Sequence, residues 1–118
     1  PYTRFAHTRT FNFVLACGRC NCSKNDRLAA PQHLFAWADR NEHYAHDIIE
    51  CSRNRIEAGA VLVPEMAFQQ YRHAANRERL WVRAIDGNSP ETMLLTGDEV
   101  DRVMNRLEDH ARSMARYV

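Results

Sequence analysis

Residues 13–27 have the sequence FVLACGRCNCSKNDR, and this stretch decides what kind of fold the chain begins with. A short apolar run leads into Cys17 and Cys20, which are separated by two residues. Asn21 follows the second cysteine directly, and Lys24 lies three residues further on. A closely spaced cysteine pair after an apolar run is compatible with a redox dithiol, a zinc site or another metal-dependent motif. The surrounding sequence has to discriminate among these.

Length and composition limit the possibilities. The chain has 118 residues, which fits one domain with a modest core, and its four Gly and four Pro favour long helices. No apolar run approaches the roughly 20 residues that span a bilayer, and no signal-peptide pattern is present. Cys17, Cys20 and Cys22 lie too close together in the sequence to stabilise a fold through disulfide bonds. We therefore expect a reducing, cytoplasmic setting and no membrane partner.

Charge is distributed unevenly along the chain. The formal net charge is +1, but residues 1–30 carry +4 and the remainder carries −3. A basic segment on a near-neutral protein indicates local contact with a polyanion, although small charge clusters also occur on ordinary solvated surfaces. The basic residues of this segment are Arg4, Arg9, Arg19, Lys24 and Arg27.

Apolar periodicity predicts a mainly α protein. Leu34, Trp37 and Ala38 share one helical face, and Gly59 is expected to end the second long helix. The sequence DGNSP at 86–90 predicts a turn. The predicted elements are a loop over 1–10, a strand over 11–16, a short helix over 18–25, and helices over 29–41, 42–57 and from Pro64 to about Ile85.

A last helix is expected to run from a capping box to the C-terminus. Thr96 is the predicted N-cap, and Glu99 completes the box three residues later. His73 and His110 are expected at the surface. The apolar stripe of this helix consists of Val100, Val103, Met104, Leu107, Ala111 and Met114.

A redox function is the first explanation for the cysteine pair. A strand followed by Cys-Gly-x-Cys at a helix start has the outline of a thioredoxin motif, and a helix N-terminus lowers the pKa of a thiol. A thioredoxin fold also needs strands after the motif. The sequence downstream of Cys20 predicts helices, which disfavours this explanation.

A zinc site is the second explanation. Two thiolates supply half of a tetrahedral site, and two further ligands are required. His43, His46 and Cys51 lie downstream, but the 22 residues between Cys20 and His43 exceed the usual spacing of a zinc finger. Zinc completed by ligands upstream of Pro1 is the more plausible form of this site.

The third explanation treats the stretch as one unit, Asn12-x4-Cys17-x2-Cys20-Asn21-x2-Lys24. This unit resembles the second half of the HNH endonuclease motif, a β-hairpin followed by a helix known as the ββα-metal fold. Residues 1–41 also resemble one bacterial HNH subgroup in their flanks, including KND at residues 24–26, where the subgroup has an Asn-Lys-Asp-like run, and the helix AAPQHLFAW. The resemblance implies a partial ββα-metal motif in residues 1–41, followed by a helical region over 42–118.

The resemblance implies a role for each matching residue. Asn12 would orient the general-base histidine, and Asn21 would bind Mg²⁺ or Mn²⁺ through its amide oxygen. Family members with cysteine pairs on both sides of the motif hold a structural zinc. Cys17 and Cys20 form one such pair, no partner pair is present in this chain, and any further zinc ligands would lie upstream. A divalent metal would stabilise charge as a DNA phosphodiester is hydrolysed. The phosphates would be contacted, independently of base sequence, by Arg4, Arg9, Arg19, Lys24 and Arg27.

The chain departs from the family pattern in one respect. No Asp-His pair precedes Asn12, and the family spacing would place it two or three residues before Pro1. His7 falls in the expected loop and does not match the general base. We therefore expect a fragment of an HNH endonuclease that binds DNA with little or no cleavage, because the general-base histidine is missing. The alternatives are a non-catalytic zinc- or nucleic-acid-binding module of a phage or mobile element, and a helical interaction domain.

Overall fold

The computed structural model describes residues 27–52, 62–86 and 89–117. Within these residues the chain forms four α-helices and a two-stranded antiparallel sheet, which confirms the mainly helical prediction. The predicted ββα-metal motif lies outside them, and the division between residues 41 and 42 stays a prediction. The helices are α1 (Pro31–His43), α2 (Ala45–Ser52), α3 (Leu62–Ala74) and α4 (Asp98–Met114); the strands are β1 (Arg79–Ala84) and β2 (Pro90–Leu94).

Helix α1 begins where the sequence places a proline. Ala30 is extended (φ −62°, ψ 160°), and Pro31 occupies the first turn, where its missing N–H removes no helical hydrogen bond. The helix ends at Tyr44, whose N–H donates to Arg40 O at 3.0 Å. The helix predicted over 42–57 starts later, at Ala45, because Tyr44 leaves helical geometry (φ −108°, ψ 16°), and its predicted part beyond Ser52 lies outside the described residues.

Helix α3 is shorter than predicted. It ends at Ala74, and the expectation of a helix continuing to about Ile85 is wrong. Asn76 adopts a left-handed conformation (φ 62°). Its N–H donates to Leu95 O at 2.9 Å, a contact between residues far apart in sequence that helical periodicity does not predict. Two strands follow instead. They pair across the turn that DGNSP predicts, with Ile85 N–H donating to Ser89 O at 2.7 Å.

The hairpin contains a bulge. Trp81 pairs with Thr92 and Arg83 with Glu91, so Val82 is the extra residue. On its other side β1 is joined to the chain before α1, since Ala29 forms a parallel bridge with Trp81.

The N-cap of helix α4 lies one residue after the predicted N-cap. It is Gly97, with a positive φ of 58° that glycine adopts readily, and not Thr96. Glu99 does not reach back to a cap but pairs with Arg102 at 2.6 Å. Three acidic residues in the first turn complement the helix dipole, which explains why α4 begins without a side-chain cap.

Two apolar clusters hold the elements together. The larger joins α1, α3, the hairpin and α4, and the smaller joins Ala45 and Ile48 of α2 to Met114 at the end of α4. The predicted stripe of α4 is confirmed, because Val103, Leu107 and Met114 are fully buried. None of the helices in the described residues is both long and apolar enough to cross a membrane. The larger cluster consists of Leu28, Leu34, Ala67, Tyr71, Ala74, Leu80, Leu95, Val103 and Leu107.

Candidate functional site

Most of the site residues predicted from the sequence lie outside the described residues. The exception is Arg27, which is partly buried at the start of the described chain. Their predicted roles therefore stay predictions. The residues concerned are Asn12, Asn21, Cys17, Cys20, Arg4, Arg9, Arg19 and Lys24.

The segment that immediately follows the predicted motif is held firmly against the rest of the protein. Ala30 N–H donates to Trp81 O at 2.7 Å, and Trp81 N–H donates to Leu28 O at 2.8 Å. Tyr71 of α3 donates its hydroxyl to Ala29 O, also at 2.7 Å. Leu28 and Ala30 are both buried. The hairpin and α3 therefore fix the position and direction of the chain where the predicted motif ends.

His33 secures the same region from α1. Its Nε2 donates to the carbonyl oxygen of Val82, the bulge residue, at 2.5 Å. The ring also lies against Trp81, with the two centroids 5.0 Å apart. At the β-bulge the carbonyl oxygen of Val82 faces α1, and its hydrogen bond with His33 joins the helix to the hairpin.

A buried histidine and its partners form the most elaborate polar cluster in the described residues. His110 of α4 is 0% exposed, so the prediction that it lies at the surface is wrong. Its Nδ1 lies 2.7 Å from Glu42 Oε2, and its Nε2 lies 3.4 Å from Asn41 Nδ2. A carboxylate accepts and an amide nitrogen donates, so these contacts define the tautomer with the proton on Nδ1. Trp37 packs edge-on against the ring, with centroids 5.0 Å apart.

Arg106 completes this cluster, which we call the α1–α4 polar contact and define as Asp39, Asn41, Glu42, Arg106 and His110. Arg106 donates from Nη1 to Glu42 and from Nη2 to Asp39, each at 2.8 Å. One guanidinium therefore spans two carboxylates on α1. The cluster joins two helices that are more than 50 residues apart in sequence.

Burial and charge shift the pKa values of the polar contact in a consistent direction. Burial lowers the pKa of His110 below its ordinary value, and the neighbouring Glu42 only partly opposes this shift. Burial alone would raise the pKa of Glu42, but hydrogen bonds from Arg106 and His110 outweigh it and leave that pKa lowered. The pKa of Arg106 is raised, because its hydrogen bonds to Glu42 and Asp39 outweigh burial. The favoured state is neutral His110 beside an ionised Glu42.

A histidine–carboxylate pair can act in acid–base catalysis, but this one is placed to hold helices together. Both ring nitrogens of His110 are engaged, and the ring is inaccessible. Asp109 and His110 form an Asp-His dipeptide, yet they lie in the middle of α4 and Asp109 pairs with Arg112 at 2.7 Å. They therefore do not replace the Asp-His pair that the HNH pattern requires before Asn12.

A shallow open depression lies beside the polar contact, lined by Phe35, Arg102, Asn105, Arg106 and Asp109. Each charged group around it already has a partner of opposite charge within the protein. Arg102 also lies over the ring of Phe35, at 5.6 Å from its centroid. The depression thus offers little unneutralised charge for a ligand.

No group of three metal-ligating side chains occurs within 27–52, 62–86 and 89–117. His43 and His46 belong to these residues, and the ring of His43 lies edge-on to that of Tyr44, with centroids 4.5 Å apart. The chain matches no known protein family, no curated protein and no solved structure.

Sequence reasoning missed the role of His110, although the sequence contains a signal for it. His110 lies three residues after Leu107 and four before Met114, on the helical face of the apolar stripe. A histidine on that face is buried and needs a partner. Nothing in the sequence, however, indicates that the partner is Glu42.

Proposed function

We propose that this chain is part of an HNH-type endonuclease that hydrolyses DNA phosphodiester bonds with a divalent metal. The observation that carries the proposal is the unit Asn12-x4-Cys17-x2-Cys20-Asn21-x2-Lys24 within the most basic quarter of the chain. Asn21 would bind Mg²⁺ or Mn²⁺ through oxygen, and the metal would neutralise charge on the phosphate. Asn12 would orient the general base.

The fold supports this proposal because it holds the chain in place directly after the motif. Residues 28–30 are fixed by backbone hydrogen bonds to Trp81 and by the Tyr71 hydroxyl. A metal ligand and phosphate contacts must be held to within a fraction of an ångström, which requires a rigid supporting structure. The helical part of the chain offers such a support directly after Lys24 and Arg27.

The general base decides whether the chain as given can cleave. No Asp-His pair precedes Asn12 among the 118 residues. We expect the chain as given to bind duplex DNA with strong salt dependence and to nick supercoiled plasmid poorly with Mg²⁺ or Mn²⁺. The codons preceding Pro1 are the first thing to determine, because Asp-His two or three residues upstream would complete the motif.

The decisive experiment compares plasmid nicking by the chain extended to include such a pair with nicking by its Asn21→Ala variant. The extended chain should nick in the presence of Mg²⁺ or Mn²⁺, and Asn21→Ala should reduce the rate by at least about 100-fold while leaving DNA binding intact. Gln69→Ala, on the exposed surface of α3, is the control for general effects on nicking. Metal-dependent nicking that survives Asn21→Ala would overturn the assignment.

The cysteine pair supports one alternative, a non-catalytic zinc- or nucleic-acid-binding module. Metal analysis of the purified protein separates the two. Stoichiometric zinc together with no Mg²⁺-dependent nicking by the extended chain would favour the binding module. In that case Cys17→Ser and Cys20→Ser should each release the zinc, because a site that loses one thiolate binds far more weakly.

A further inference from the structure

A second concentration of positive charge lies far along the sequence from the predicted motif. Residues 72–83 carry four arginines and one glutamate, a net charge of +3, although residues 31–118 as a whole are acidic. These arginines come from the last turn of α3, the turn around Asn76 and strand β1. We call the exposed residues Arg72, Arg77 and Arg79 the basic surface.

The cations of the basic surface are not neutralised within the described residues. Arg79 donates only to Thr92, from Nε to Oγ1 at 3.0 Å and from Nη2 to the carbonyl at 2.9 Å. Arg77 is within 3.5 Å of His73 alone. Arg83, in contrast, pairs with Glu91 at 2.6 Å. Neutral acceptors orient Arg79 and leave its positive charge available.

The fold places this surface next to the end of the predicted DNA-binding segment. Ala29 pairs with Trp81 in a parallel bridge, and in parallel pairing the residues two positions earlier also approach one another. That register brings the backbone of Arg27 towards the backbone of Arg79. Neighbouring paired strands are about 4.8 Å apart, so the two backbones lie close together at this point. Arg27 and Arg79 can therefore contact the same stretch of DNA backbone.

We propose that Arg72, Arg77 and Arg79 continue the phosphate-binding surface of the N-terminal segment, so that duplex DNA contacts both. This inference rests on the proposed function, since it takes DNA as the partner. Exposed arginines that lack carboxylate partners suit phosphate, which they bind through two parallel hydrogen bonds. The helix dipole accounts for basic residues in the last turn of α3 but not for Arg77 and Arg79, which lie beyond it.

The test measures binding of a short fluorescent duplex by anisotropy over a range of salt concentrations. The double variant Arg77→Ala/Arg79→Ala should weaken binding about 5- to 30-fold at low salt and reduce the magnitude of the log–log salt slope by about 2. The matched control is Arg112→Ala/Arg116→Ala, which removes the same charge at the C-terminal end of α4, a helix about 25 Å long. The control should change affinity less than 2-fold.

A third variant separates charge from structure. Arg77→Lys/Arg79→Lys keeps both charges but loses the guanidinium contacts to Thr92, and it should keep most of the salt slope. If the lysine variant binds as weakly as the alanine variant, the arginines act through folding and the inference is overturned. Tenfold tighter binding of an RNA hairpin than of the DNA duplex would also overturn it.

The failures of the two proposals are distinguishable. If the wild-type chain binds duplex DNA and Arg77→Ala/Arg79→Ala binds equally well, the basic surface is not a DNA contact, but the proposed function stands. If the wild-type chain shows no salt-dependent binding of DNA, both proposals fail. If binding depends on Arg77 and Arg79 but the extended chain never nicks DNA, the surface is supported and the nuclease assignment is lost.

Discussion

The α1–α4 polar contact and the basic surface use arginine in opposite ways. In the polar contact, Arg106 is mostly buried and its guanidinium spans two carboxylates. On the basic surface, Arg79 is exposed, and within the described part of the chain it donates to a threonine and to no carboxylate. A charge withdrawn from water must be paired, whereas an exposed one remains solvated without a partner. The comparison predicts that substitutions in the first region change stability and substitutions in the second change binding.

The largest expected effect is that of His110→Ala. It should lower the free energy of unfolding by about 2–4 kcal/mol, because it leaves a cavity and removes a hydrogen-bond donor from Glu42. Urea unfolding followed by circular dichroism measures this. His73→Ala, at an exposed position, should change stability by less than about 0.5 kcal/mol. An unchanged unfolding midpoint for His110→Ala would show that the polar contact is dispensable.

Glu42→Gln should have a smaller effect, a loss of about 1–2 kcal/mol. The amide still accepts from His110, and Arg106 keeps Asp39, so only the charge of Glu42 is removed. Glu99→Gln is the matched control, since its pair with Arg102 is solvent-exposed and contributes about 0.5 kcal/mol or less. Equal losses for both variants would contradict the distinction between the two regions. DNA affinity should be unchanged in both.

Lowering the pH should reduce the free energy of unfolding, by less per pH unit than either of the two substitutions in the polar contact. The pKa of His110 is lowered in the folded protein, so the unfolded state binds more protons below the ordinary histidine pKa. Its contribution is complete above about pH 6.5 and declines on acidification, at no more than about 1.4 kcal/mol per pH unit. The lowered pKa of Glu42 adds a further loss below its ordinary value of 4.5.

Melting temperatures between pH 8 and pH 4 test this direction. The His110→Gln variant cannot titrate at this position and should show a flatter profile from pH 7 to pH 5. A wild-type melting temperature that rises on acidification over that interval would contradict the buried, neutral state of His110. Substitutions on the basic surface should leave the shape of the profile unchanged.

The smallest expected effect concerns the turn that leads to the basic surface. Asn76 has a φ of 62°, which glycine adopts without strain. Asn76→Gly should raise the free energy of unfolding by about 0.5 kcal/mol, and Asn76→Ala should lower it by about 1 kcal/mol. Neither changes the charge, so DNA affinity should stay constant. A loss of affinity in Asn76→Gly would show that turn geometry, beyond charge, positions Arg77 and Arg79.

Local signals predicted a good part of the helical framework. Pro31 at the first turn of α1 and the stripe of Val103, Leu107 and Met114 in α4 are both confirmed, because each follows from neighbours within the same helix. The hairpin was missed although its turn was predicted. Residues 79–84 have no distinct local pattern, and they become a strand by pairing with residues 90–94 and with Ala29. Pairing across the chain outweighed helix propensity there.

The sequence by itself determined the helical class of the described residues, the stripe of α4 and the motif from Asn12 to Lys24 that defines the proposed chemistry. Only the tertiary structure decided that His110 is buried against Glu42, and that Ala29 is bridged to Trp81. The physical reason is the range of the interactions. Helical periodicity is set by residues three or four apart, whereas the polar contact and the bridge to Trp81 join residues more than 50 positions apart, which no local pattern specifies.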